Sequence, residues 1–204
     1  MAKIKLTKGE LKRERDALKR YERYLPILQL KKQQLQMETL RELRAVEEKR
    51  LAEAGSKKAI GAWAGLLAEP SVEIRQWVAP KRVVTGSRNI AGVDIPVFEA
   101  VEFDDAEYDL FLTPLWLDRA IEDLRALIKL LEEIKVIEES VRILRQELRV
   151  TTQRVNLFEK VKIPEAEEAI RLIKVYIGDQ MANAVGRSKI AKRKIEAAEE
   201  ALVA

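Results

Sequence analysis

No cysteine and no histidine occur among the 204 residues. Their absence removes disulfides, thiol nucleophiles, imidazole acid–base chemistry and the usual zinc ligand set. Aromatic residues are scarce at 5%, which argues against a thick globular core. The longest strongly apolar run, AIGAWAGLLA at 59–68, is too short to span a bilayer. The N-terminal string MAKIKLTKGE has no apolar signal region, so a cytoplasmic location is expected. No Gly-x-x-x-x-Gly-Lys-Ser/Thr string is present, and Gly86 and Gly92 have no following helix with which to cradle phosphate. The expectation is a chain with no cofactor, no metal and no catalytic site of its own.

What is abundant is charge, at 35%, laid over a strict apolar repeat. Leu127, Ile134, Val141, Leu148 and Val155 stand seven residues apart, with Leu130, Ile137, Leu144 and Phe158 beside them on the same step. Of the ten seam positions from 127 to 158 only Thr151 is polar. A 3.5-residue period puts both series on one stripe of a helix, and that stripe needs a second helix to cover it. The seam changes phase near Pro164, after which Ile163, Ile170, Ile177, Ala184, Ala191 and Ala198 keep the seven-residue step, accompanied by Met181, Ser188, Ile195 and Leu202.

Three segments follow. Residues 1–55 form an N-terminal coiled-coil helix, with Thr7 and Glu10 as a capping box and apolar positions at Leu11, Leu18, Tyr21, Leu25, Leu28 and Leu35. Continuing through Leu40, Leu43, Val46 and Leu51, the phase slips, as in a stutter. Gly55-Ser56 is the expected end, and Pro26 an expected kink. Residues 56–113 read as an insert: a short helix over 57–68, then strand signals in VEIRQWV, KRVVTG and VDIPVFEAVEF. Turn chemistry is supplied by Gly86-Ser87-Arg88-Asn89 and Ala91-Gly92. Trp63, Trp77 and Trp116 are expected to pack this insert onto the coiled coil. Residues 114–204 form the C-terminal helix, with Thr113 as N-cap and Pro114 as first residue. The fold class is mainly α: a long antiparallel two-helix coiled coil with a small helical and β-hairpin insert at one end. Setting Pro26 level with Pro164 makes facing residue numbers sum to about 190 and leaves the C-terminal helix overhanging.

Charge is uneven. Residues 1–50 carry 15 positive and 8 negative side chains, 51–113 carry 6 and 10, and 114–204 carry 17 and 16. Arg187, Lys189, Lys192, Arg193 and Lys194 form a basic cluster near the C-terminus. It is either a solvated helical face or a contact surface, and composition leaves both open. The carboxylate pairs Glu132-Glu133 and Glu138-Glu139 lie on helix and read as surface charge.

Two strings carry a family resemblance. One is KLTKGELKRERDALKRYERYLPILQLKKQQLQ at 5–36, with its Leu28-Gln29-Leu30-Lys31-Lys32-Gln33-Gln34-Leu35 core. The other is RVNLFEKVKIPEAEEAIRLIK at 154–174, with Arg154, Val155, Asn156, Glu159, Ile163 and Pro164. Together with the helix–insert–helix order, they make the chain resemble the D subunit of the V-type (vacuolar/archaeal-type) ion-translocating ATPases. The resemblance implies a rotor shaft standing inside a ring of alternating catalytic and nucleotide-binding subunits. It also implies contact with the small F subunit and a seat on a funnel-shaped subunit above the membrane ring. Lys8, Lys12, Lys189 and Lys192, with Arg187, Arg193 and Lys194, are then candidate contacts for acidic loops in the bore. The alternative is a prefoldin-like chaperone or another structural coiled-coil adaptor. That alternative is disfavoured by arms of about 48 and 85 residues, since such chaperones have arms of similar length. Nucleic acid is not an expected partner, because acidic residues are interspersed and no aromatic–basic platform is visible.

Overall fold

The computed structural model describes residues 5–68, 74–109 and 113–203. Helix α1 runs over Lys8–Gly61, a 3₁₀ turn over Ala64–Ala68 and a single helical turn, α2, over Arg75–Val78. Strands β1 (Pro80–Ile90) and β2 (Val93–Phe103) follow, then α3 (Leu117–Leu157), a π-helical turn (Phe158–Lys162) and α4 (Ile163–Val203). The chain divides into two compact units, one of residues 1–30 with 152–204 and the other of 31–151.

At the start of α1, the Glu10 backbone N–H donates to Thr7 Oγ1 at 3.2 Å, the hydroxyl half of the capping box. The Glu10 carboxylate turns instead to Arg13, 3.5 Å away. α1 continues through Gly55 to Gly61, six residues beyond the expected stop. Gly55 has only open space around its Cα, so nothing there forces a break. Pro26 is accommodated inside the helix.

The expected stutter is absent. Leu35, Thr39, Val46 and Ile60 are buried, and Leu28, Lys32, Glu42, Lys49, Glu53 and Ser56 are half-buried between them. All of these lie on the unbroken 3.5-residue step that starts at Leu11, while Leu40 and Leu51 face solvent. Several polar residues on the seam are paired: Lys49 meets Glu133 at 2.9 Å and Arg88 reaches Glu42 at 2.5 Å. Beside the seam, Lys31 meets Glu147 at 3.1 Å. Thr39 Oγ1 donates to the Leu35 carbonyl at 2.7 Å. On α3 and at the first residue of the π-turn, every one of the ten positions from 127 to 158 is buried or half-buried, Thr151 included. Facing pairs with falling partner numbers make α1 and α3 antiparallel in the 31–151 unit.

The two strands of the insert form one antiparallel hairpin, which packs on those paired helices. Ile95, Leu35 and Leu144 form a core at 0–1% exposure, with Ile90, Ala91, Val93, Ile143 and Leu148 around it. Ser140 Oγ, buried on α3, donates to the Pro96 carbonyl at 2.6 Å. At the hairpin base Arg125 donates from Nε to the Trp77 carbonyl (2.9 Å) and from Nη2 to the Asp104 carbonyl (2.6 Å), and lies over the Phe103 ring. Trp77 packs on Tyr108, whose hydroxyl donates to Asp118. Trp63 and Trp116 are half-buried.

Three local expectations are corrected. The turn is Ala91-Gly92, both with positive φ (51° and 76°), a type I′ geometry that suits the strand twist. Gly86 to Asn89 lie within β1, where the Glu99 side chain occupies the space of a Gly86 Cβ. The string VEIRQWV is helical at Arg75–Val78, and its first two residues lie outside the described residues. Thr113 bonds its hydroxyl back to the Asp109 carbonyl and α3 starts at Leu117, so Thr113 is not the cap.

The phase change in the second helix has a structural cause. Over Phe158–Lys162 the backbone takes π geometry, with Ile163 N–H bonded to the Phe158 carbonyl, five residues back. A π-turn absorbs one extra residue, so Val155 is followed on the seam by Ile163 after eight residues, not seven. Ala166, Ala169, Ile170 and Ile173 are buried on the new phase.

Candidate partner-contact surface

Within the unit of residues 1–30 and 152–204, the rings of Tyr21 and Phe158 pack at 5.4 Å. Their numbers sum to 179. Pro26 is therefore level with about residue 153, and the expected pairing of Pro26 with Pro164 is wrong by some eleven residues. The seam sets the level: Tyr21 and Phe158 are both seam residues, and the π-turn lies between Val155 and Pro164.

This register decides what is left uncovered. α1 begins at Lys8, and on α4 burial ends at the half-buried Ile177. Every residue from 178 to 197 is exposed, including Met181, Val185, Ile190 and Ile195. α4 extends some 26 residues past Ile177, about 39 Å at 1.5 Å per residue. Ile177, Met181, Ala184, Ser188, Ala191 and Ile195 still follow the heptad seam, with no described partner from this chain. The expected seam residues Ala198 and Leu202 have side chains outside the described residues.

The basic cluster sits on this overhang. Arg187, Lys189, Lys192, Arg193 and Lys194 are all exposed, and residues 178–197 carry five positive and two negative side chains. Arg187 and Lys194, seven residues apart, flank one side of the seam; Lys192 flanks the other, and Lys189 and Arg193 lie behind. Arg187 Nε donates to the Asn183 carbonyl at 3.4 Å and Lys192 meets Glu196 at 3.6 Å, both within the helix. Lys8 and Lys12 are exposed on the first turns of α1 but are level with about residues 171 and 167. Arg187 is then about 24 Å further along the axis. The two sets do not form one patch.

Several charges elsewhere are paired within the fold. Glu133 and Glu138 pair with Lys49 and Arg50 of α1, so these carboxylates join helices in addition to facing solvent. Hydrogen bonds from Arg142 hold the Glu139 carboxyl below its ordinary value, and those from Arg171 do the same for Glu168. Among the described residues no cluster of acidic side chains could hold a metal ion, and no helix is long and apolar enough to cross a membrane. The register, the π-turn and the Arg125 clamp are not legible in the sequence. Only the π-turn leaves a trace there, the eight-residue step from Val155 to Ile163.

The sequence model of the family described as the ATP synthase D subunit matches residues 10–193. The chain is 46% identical to the V-type ATP synthase D subunit of Borreliella burgdorferi over 192 residues, covering 94% of this chain and 95% of that one. It is 35% identical to the protein of the same name from Chlamydia abortus and 34% to that from Chlamydia caviae, each over 98% of this chain and 97% of the other. A match that runs from the first turns of α1 through the hairpin and into the overhang makes this chain a member of the ATP synthase D-subunit family.

Proposed function

We propose that this chain is the central-stalk subunit of a V-type rotary ATPase or ATP synthase, carrying rotation between a membrane ring and a catalytic hexamer. It has no catalytic role of its own. The observation that carries this reading is the combination of family membership over residues 10–193 with helices paired along a seam in each unit and an exposed, basic stretch of α4 beyond Ile177. A shaft needs stiffness, which the covered seam supplies. It also needs a surface that does not lock onto one neighbour, and exposed charge provides screened contacts of modest energy.

In this reading the overhang enters the bore formed by the catalytic and nucleotide-binding subunits, where Arg187, Lys189, Lys192, Arg193 and Lys194 meet acidic loops. Lys8 and Lys12 contact the ring at a lower level. The 31–151 unit meets the small F subunit and the funnel-shaped subunit. The complex is membrane-bound, and this chain is peripheral to the membrane on the cytoplasmic side.

The test uses the assembled complex. Glutamate in place of Lys189, Lys192, Arg193 and Lys194 together should leave the chain folded and assembled but lower the ions moved per ATP hydrolysed. Unaltered coupling would remove the basic cluster from the mechanism. Failure of the unsubstituted chain to co-purify with ATPase subunits would remove the central-stalk reading itself.

A further inference from the structure

The segment RVNLFEKVKIPEAEE contains no group with a chemical task, yet it holds the one departure from α geometry in the paired part of the helix. We infer that the π-turn Phe158–Lys162, with Pro26 less than two helical turns away on the facing helix, is a joint: a place where the paired helices open and bend more easily than elsewhere. Three observations converge on it.

First, the extra residue is not needed for pairing. Removing one residue between Val155 and Ile163 would make the seam step seven again, and the positions on either side would stay on one stripe. Glu159, Lys160 and Val161 are exposed; of the turn's residues only Phe158 and Lys162 are even half-buried. Second, hydrogen bonding is weakened on both helices in the same zone. Pro164 has no N–H to give to the Lys160 carbonyl, and Pro26 has none for the Glu22 carbonyl. Third, the register brings these interruptions together. Pro26 is level with about residue 153, roughly 8 Å along the axis from Phe158. The two interruptions are thus offset by less than two helical turns, so both helices are weakened within one short zone of the pair.

The joint belongs to the chain itself, whatever it assembles with, so the test uses the full-length protein alone. Backbone amides at 159–163, 165, 23–25 and 27–29 should exchange with solvent at least about tenfold faster than those at 139–145 and 42–48. Deleting Val161 should restore continuous α-helix, slow exchange at 158–164 and keep the melting temperature within about 3 °C or raise it. Deleting Arg145, also exposed but within the unbroken seam, should lower the melting temperature by about 10 °C or more, because every later seam residue turns about 100° away. Uniform exchange along both helices would overturn the inference, as would a Val161 deletion that melts as low as the Arg145 deletion.

Discussion

Tyr21 packs its ring against that of Phe158 at a tilt of 35°, and this contact fixes the level at which α1 meets the π-turn between α3 and α4. Cysteines placed at 21 and 158 should join through a short bifunctional maleimide in a chain that otherwise has no thiol. Cysteines at 26 and 164 should not, being about 16 Å apart along the axis. Gel mobility after proteolysis distinguishes the two, and crosslinking of the second pair alone would refute the register. Replacing Phe158 with alanine should cost stability beyond the area lost, since such ring pairs contribute roughly 0.5–1.5 kcal/mol.

The hairpin supplies the third wall of the core around Leu35, Ile95 and Leu144. Leu144→Ala should therefore destabilise by roughly 2–5 kcal/mol, as for other fully buried leucines. Leu51→Ala, at a site 76% exposed, should stay within about 0.5 kcal/mol of the parent. Denaturant melts compare them, and equal effects would mean that the hairpin does not cover the seam.

Ala91 holds φ 51° in the hairpin turn while packing towards that core. The left-handed region is uncomfortable for any Cβ, by roughly 1–2 kcal/mol, and worse for a branched one. Ala91→Val should lower the melting temperature clearly, whereas Ala91→Gly should not. A thermal shift series reads the difference, and a harmless valine would contradict the turn geometry.

Acid should weaken the fold in part through Glu139 and Glu168. Hydrogen bonds from Arg142 and Arg171 depress both carboxyls below their ordinary value of 4.5. On acidification the unfolded carboxylates take up protons first. The contribution is thus complete above about pH 4.5 and lost as pH falls through the lower folded values. Both pairs are exposed, so the effect is small. Replacing both glutamates with glutamine should leave the midpoint at pH 7 nearly unchanged and flatten the decline below pH 4.5. An undiminished acid slope in that variant would exclude these pairs as its source.

Much of this structure can be read from residues 127–158, where each apolar seam position is covered. The first helix is harder to read. Leu40 and Leu51 suggest a phase slip, yet the seam keeps step through Thr39, Glu42, Lys49 and Glu53. Arg88, Glu133 and a backbone carbonyl satisfy the first three of these polar groups. Sequence periodicity counts apolar residues, and a seam filled with paired charge is invisible to it. Gly86 misleads for a similar reason: it reads as a turn, but its missing side chain makes room for Glu99 in the middle of a strand. The basic cluster is legible as composition. Its separation from Lys8 and Lys12 is not, because that depends on where the two helices meet and not on either string alone.

The bare stretch of α4 beyond Ile177 should behave differently from everything before it. Cutting the chain after Ile177 should remove helical signal from the circular dichroism spectrum and leave the melting temperature of what remains within about 3 °C. A large fall would mean that the overhang packs on something within the chain.

Residues 178–197 of α4 are exposed throughout and lack the tertiary packing that supplies most helical stability, and they carry five arginine and lysine side chains. A newly made copy that has not found its neighbours thus offers trypsin-like proteases an accessible tail. Supply of the chain would be matched to supply of whatever shelters that tail by destruction of the surplus, with no dedicated regulator required.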